Sequence, residues 1–211
     1  QYFLNVPNLK GIIVGGPGPT KQRFLDGNYL HHEIKEKILT TVDVGYTGAG
    51  GVKELVTRSR DFLAQVRYTQ ERKIVQEFLR HLGEDDGLST YGEQEVITQL
   101  KNVNVYTLLV SGAIRRWYVT LECRSCGFKE HQIIEMDGLE EFEDKVKDMK
   151  CLKCGTGNYE ITEKEDLIEV LVKLADDAEA KIEIISTHIE EGEMLLRSFG
   201  GIAAITKYRT Q

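Results

Sequence analysis

Four cysteines are the residues best placed to do chemistry. They stand as Cys123-Arg-Ser-Cys126 and Cys151-Leu-Lys-Cys154, with 24 residues between the two pairs. A two-residue spacer lets both thiolates of one turn face a single ion, and two such turns complete a tetrahedral S4 site. Gly127 and Gly155 follow the second cysteine of each pair. Glycine there permits the tight turn that aims backbone amides at sulfur. Arg124, Lys150 and Lys153 adjoin the ligands and would offset part of the negative charge of a Zn(Cys)4 centre. With all four positions taken, no place is left for a catalytic water, so a structural zinc ion is expected. Disulfides and a redox or iron–sulfur role are the alternatives, and nothing else in the chain points to an oxidising compartment. The surrounding insert, residues 122–158, is short and polar, so zinc is expected to act as its core.

Other candidates for chemistry are weaker. Gly15-Gly16-Pro17-Gly18-Pro19-Thr20-Lys21 lies between an expected strand and an expected helix, where phosphate loops sit. Its spacing is neither G-x-x-x-x-G-K-[ST] nor G-x-G-x-x-G, so it reads as a stiff turn with Thr20 as N-cap. His31 and His32 are adjacent and would diverge on a helix. Glu140-Glu141 and Asp176-Asp177 read as solvated helix faces. No nucleophile has a visible base partner, and nothing resembles an active site, so no enzyme activity is expected of this chain.

The elements that must position the cysteines follow from periodicity. Leu9–Gly16 reads as a buried strand and residues 20–40 as helical, broken around Asp26-Gly27-Asn28. Thr41–Tyr46 reads as a second strand, Gly48–Gly51 as a turn and Val52 onward as helix. Helical spacing of Leu55, Phe62, Val66, Ile74, Phe78 and Leu82 predicts one long helix, or two abutting ones, ending before Gly83. Further on, the patterns Thr90…Glu93, Thr162…Glu165 and Thr187…Glu190 read as capping boxes that open three helices. The last of these would stop at Gly200-Gly201. Strands are expected at Val103–Val110, Arg116–Leu121, Lys181–Ile185 and Ile202–Tyr208. Strands alternating with helices in this way predict a layered α/β fold.

Composition bounds the remaining possibilities. The 211 residues carry 27 basic and 34 acidic side chains, a net charge of −7, with 41% apolar residues and three prolines. That suits one or two folded domains and disfavours bulk nucleic-acid binding by net charge. No apolar run is long enough to cross a membrane. Gln1 is no initiator methionine and no signal-peptide pattern follows it, so a cytoplasmic protein whose chain begins mid-sequence is expected. Residues 1–66 sum to +2 (8 basic, 6 acidic) and residues 67–211 to −9 (19 basic, 28 acidic), which suggests a domain boundary near residue 66. An acidic half should face protein rather than nucleic acid.

Several segments together resemble the class I peptide chain release factors of archaea and eukaryotes. They are Gly11-Ile-Ile-Val-Gly-Gly-Pro-Gly-Pro-Thr-Lys21, Val42-Asp-Val-Gly-Tyr-Thr47 and Phe199-Gly-Gly-Ile-Ala-Ala-Ile-Thr-Lys-Tyr208. The paired cysteines resemble the zinc minidomain of the archaeal branch, and the likeness runs from about Asn8 to Arg209. It implies that residues 1–66 are the later part of an RNase H-like middle domain. Residues 67–211 would be a helix-covered, mixed-sheet C-terminal domain bearing the zinc insert at 122–158.

In that family an N-terminal domain reads the stop codon and a Gly-Gly-Gln loop of the middle domain triggers peptidyl-tRNA hydrolysis. No Gly-Gly-Gln occurs in this sequence. The resemblance therefore implies translation termination on the ribosome, with this chain supplying a scaffold and a docking domain rather than the reacting loop. It implies two partners for the C-terminal domain: an elongation-factor-like GTPase and the ribosome-recycling ATPase. The GTPase-docking segment maps to Ala204, Ile205, Thr206, Lys207 and Tyr208, where Thr206 and Lys207 replace the Leu and Arg usual in eukaryotic members; a core strand is the alternative for this segment. The rival readings are a Pelota-like rescue factor, a zinc-ribbon nucleic-acid module and a nucleotide-binding enzyme. The first lacks the zinc insert and the Gly-Pro turn. For the second, acidic residues outnumber basic ones in the insert, whose aromatics are Phe128 and Phe142; the third lacks phosphate-loop spacing.

Overall fold

The computed structural model describes residues 2–6, 9–27 and 29–210. Pro7, Asn8 and Asn28 lie outside that set, and with them the Asn28 end of the expected helix break. The chain divides into two compact units, Gln1–Arg67 and Tyr68–Gln211. Each is a mixed α/β structure, and the division falls inside a helix.

The first unit carries β1 (Ile12–Gly16), α1 (Thr20–Asp26), α2 (His32–Glu36), β2 (Ile38–Asp43) and α3 (Gly48–Arg58). β1 and β2 pair in parallel, with Val14 opposite Thr41 and Gly16 opposite Asp43. Three expectations are corrected here. Ile38–Thr40 is strand rather than helix, because Ile38, Thr40 and Val42 alternate inward against exposed neighbours. Gly48–Gly51 is the first turn of α3 rather than a separate turn. Thr20 is the first helical residue, with Pro19 before it and no side-chain cap. A second helix, α4 (Arg60–Glu84), abuts α3 and runs one residue past Gly83.

The second unit continues with β3 (Ser89–Tyr91), α5 (Glu93–Lys101), β4 (Val105–Ser111), β5 (Arg116–Cys123), β6 (Lys129–Glu135) and α6 (Leu139–Asp148). It closes with β7 (Tyr159–Asp166), α7 (Leu167–Asp177), β8 (Lys181–Ile185), α8 (Glu190–Phe199) and β9 (Ile202–Thr206). Four strands form a mixed sheet in the order β3-β9-β4-β8. β9 runs antiparallel to both β3 and β4, whereas β8 runs parallel to β4. The sheet is apolar on both faces, as a doubly covered sheet must be. Leu108, Val110, Ile202 and Ala204 pack with Val96, Leu100, Leu167 and Leu171 of α5 and α7. Leu109, Ala203 and Ile205 face the other way, onto Val75 and Phe78 of α4 and Leu195 of α8.

None of the three expected capping boxes forms. Thr90 lies in β3, and α5 begins after Gly92 without a side-chain cap. Thr162 lies in β7, and α7 is instead capped by Asp166, whose Oδ1 accepts from the Ile168 amide at 2.7 Å. Helix α8 follows Ile189, not Thr187. Threonine is β-branched and equally at home in a strand, so the pattern arises without the cap. The expected stop is present: Gly200 ends α8 in the left-handed conformation at φ 69°.

Strands β6-β5-β7 form a separate antiparallel sheet. It has its own small core, in which Val119, Leu121, Val146 and Tyr159 are buried with Cys123 and Cys151. The 122–158 insert is therefore not coreless. It borrows apolar residues from β5 and β7, which flank it. Arg116 ties this sheet to its neighbours: it pairs with Glu93 of α5, its Nε donates to Glu135 at 2.7 Å, and its Nη1 donates to the Gly200 carbonyl at 3.0 Å.

Candidate metal centre

The two cysteine turns have one geometry repeated. The Gly127 amide donates to the Cys123 carbonyl at 2.8 Å, and the Gly155 amide donates to the Cys151 carbonyl at 2.8 Å. Both glycines have positive φ, 67° and 74°, a region an L side chain enters only with strain. β5 delivers Cys123 at its last residue, and a ladder of cross-turn bonds fixes the rest. The Cys123 amide donates to the Phe128 carbonyl, that of Arg124 to Asn158 and that of Cys151 to Thr156, all within 2.9 Å.

The four Sγ atoms all lie within 4.8 Å of one another. Cys123 and Cys154 are 3.6 Å apart across the turns, and Cys126 and Cys151 are 3.7 Å apart. A tetrahedron with ~2.3 Å zinc–sulfur bonds has edges of about 3.8 Å. A disulfide needs sulfurs at about 2.05 Å, so neither contact is one, and all four cysteines are free. The donor set and its spacing fit zinc.

The surroundings favour the thiolate at two of the four cysteines. Burial pushes the Cys151 thiol up, but the amides of Cys154 and Lys153 and the Tyr159 hydroxyl outweigh it and bring the thiol down to about 6. At Cys123 burial is likewise outweighed by the amides of Ser125 and Cys126, and its thiol falls below the ordinary value. At Cys126 the Phe128 amide pulls downward, but burial and the three neighbouring sulfurs dominate and push the thiol up to about 12. Four thiols this close cannot all ionise without a cation among them. A bound dication would remove that conflict and hold all four as thiolates. Thr156 adds a hydroxyl 3.0 Å from the Cys154 sulfur. Sequence reasoning missed Thr156 and Tyr159; Thr156 follows Cys154 by two residues, but no motif marks Tyr159.

The closing segment is placed differently. Ala204, Ile205 and Thr206 are buried, at 0%, 5% and 5% exposure, and their backbone lies between β3 and β4. Lys207 Nζ donates to the Ala178 carbonyl at the end of α7, 3.1 Å away. Tyr208, 74% exposed, is the open side chain of the five.

Two further clusters of possible ligands occur among the described residues. His31 and His32 do not diverge as expected. His31 sits in the extended position before α2, and the two rings come within 4.4 Å beside Glu33, all exposed. His81 Nδ1 is 2.7 Å from Asp86 Oδ2, and Asp86 Oδ1 accepts from the Leu88 amide at 2.9 Å. That pair fixes the turn after α4. The Gly15–Lys21 loop borders a cavity of about 510 Å³ beside Phe24 and Thr47, with Lys21 paired to Asp43. Among the described residues no helix is long and apolar enough to cross a membrane.

Comparison with known proteins fits this arrangement. Residues 68–210 match the family model for eRF1 domain 3, and residues 1–65 match that for eRF1 domain 2. Peptide chain release factor subunit 1 of Thermococcus sibiricus is 44% identical over 99% of this chain and 50% of its own length. This chain thus spans about half the length of that relative. The C-terminal domain of a peptide chain release factor from Methanosarcina mazei is 32% identical with a TM-score of 0.65, covering 79% of this chain and 99% of that one. A model of ribosome-bound archaeal Pelota and ABCE1 is more distant, at 22% identity and a TM-score of 0.53 over 97% of this chain and 45% of that one, and shares the fold alone. By these matches the chain belongs to the eRF1 family of peptide chain release factors.

Proposed function

We propose that this chain is part of a translation-termination factor that directs stop-codon-dependent release of the nascent peptide on the ribosome. The observation that carries this reading is the pair of consecutive family matches, which between them span nearly the whole chain. In this reading residues 1–66 are the later part of the middle, release-triggering domain. Residues 67–211 are the docking domain, with a minidomain at 122–158 organised by zinc on Cys123, Cys126, Cys151 and Cys154. Zinc here supplies structure: it cross-links two turns that carry little apolar surface of their own. The chain has no Gly-Gly-Gln, so it holds and presents rather than reacts.

The partners are an elongation-factor-like GTPase, the ribosome with its peptidyl-tRNA and, as the family resemblance implies, the recycling ATPase. Their meeting place is the cytoplasm. Because Ala204, Ile205 and Thr206 are buried, Tyr208 is the side chain of that segment that reaches a partner. The test is calorimetry of this chain against an archaeal elongation-factor-like GTPase bound to a GTP analogue. Binding is expected, with a loss of roughly tenfold in Tyr208→Ala, the size of one well-placed interface aromatic. No binding would remove the docking role, and peptide release by this chain alone from ribosomes would remove the scaffold role.

A further inference from the structure

Beyond the four cysteines, the two clusters of possible ligands differ in what already engages their side chains. His81, Glu84 and Asp86 stand together at the end of α4, but a guanidinium takes the place of a cation there. Arg80 Nη2 lies 2.9 Å from His81 Nε2, and Arg80 Nη1 donates to Glu84 Oε2 at 2.7 Å. His81 Nδ1 is bonded to Asp86. Each of the three side chains is committed within the fold.

His31, His32 and Glu33 have no such internal partner. Their donor atoms lie within 4.8 Å of one another, and all three side chains are exposed. The two imidazoles come to 4.4 Å with 34° between their planes, although neighbours at a helix start are free to point apart. His32 Nε2 approaches Glu33 Oε1 at 4.0 Å, and among the described residues no hydrogen bond takes up either ring. The backbone beneath them is fixed. The His31 carbonyl accepts the Ile34 and Lys35 amides, both at 3.0 Å, and Ile34 is buried. His31 makes no capping bond to α2, so the helix does not need its imidazole.

We propose that His31, His32 and Glu33 form a second metal site, for a divalent ion of intermediate softness such as zinc or nickel. Two imidazoles with a carboxylate are the donors such ions prefer. Bonds of ~2.0–2.2 Å put tetrahedral nitrogen and oxygen ligands about 3.4 Å apart. Exposed side chains close to that spacing from 4.0 Å by turning about their own χ angles. The ligands are side chains, and no backbone amide of the short helix takes part. Three protein donors leave a position open to water, unlike the closed set of four cysteines. Such a site releases its ion readily, so it is read by titration rather than by what a purified chain retains. The inference does not rest on the role in termination.

The test is isothermal titration calorimetry of the whole chain, its cysteines first loaded with zinc, against nickel(II). One nickel ion per chain is expected, bound in the micromolar range, with the zinc content unchanged. His31→Ala and His32→Ala should each weaken binding roughly tenfold or more, and the double variant should abolish it. Glu33→Gln should weaken it by a smaller factor, and His81→Gln should leave it as it was. All three ligand positions are exposed, and circular dichroism would show that the variants still fold. Absence of nickel binding, or binding unchanged in the double variant, would overturn the inference. So would nickel gained only as zinc is lost, which would place it on the cysteines, or binding lost in His81→Gln, which would place it at the end of α4.

Discussion

The two sheets of the second unit are held by different means. The four-stranded sheet buries apolar residues on both faces, against α5 and α7 on one side and α4 and α8 on the other. The three-stranded sheet has one small core, and two of its buried members are cysteines. The first sheet has surface enough to fold on the hydrophobic effect. In the function proposed above the second is completed by a cross-link, for which the sulfur spacing supplies a place. On that proposal one part of the fold depends on metal and the other does not.

The largest expected effect separates the two. Cys123→Ser with Cys126→Ser should remove hydrogen-exchange protection from β6, α6 and the turns while β4 and β9 keep theirs, since zinc contributes ~10–16 kcal/mol to sites of this kind. Equal loss in both sheets would break the comparison. Leu108→Ala should do the reverse, destabilising the four-stranded sheet by about 2–5 kcal/mol in denaturant melts while zinc content stays the same. Gly127→Ala places a side chain at φ 67° and should cost ~1–2 kcal/mol, read as earlier zinc loss to a chelator.

The smallest effect concerns acid. The His81 ring and the Leu88 amide hold Asp86 below the usual carboxylate range. A lowered carboxylate stabilises the fold above its unfolded value of about 3.9, and that contribution fades as pH falls through the folded value. His81→Gln should shrink this acid loss in melts of the four-stranded sheet and leave the three-stranded sheet unaffected.

The clustering of the four cysteines was legible in the sequence because two pairs at fixed spacing need no tertiary information to be read. Lys181–Ile185 is the strand expected from its alternation, and Ile202–Thr206 lies within the strand expected there. β7 was missed. Its residues, Tyr-Glu-Ile-Thr-Glu-Lys-Glu-Asp, read as a charged helix start, and pairing with β5 from Trp117 to Cys123 decides otherwise. Tertiary partners likewise fixed Thr90 in β3 and drew Ile38 into β2 beside β1. The Leu152 amide is held by the Tyr159 hydroxyl, seven residues away, and no local pattern encodes that bond.

Native mass spectrometry of the purified chain tests the central claim most directly. One zinc ion per chain is predicted, lost together in the Cys123→Ser, Cys126→Ser variant with the protection of β6 and α6. A metal-free chain whose three-stranded sheet is nonetheless fully protected would contradict it.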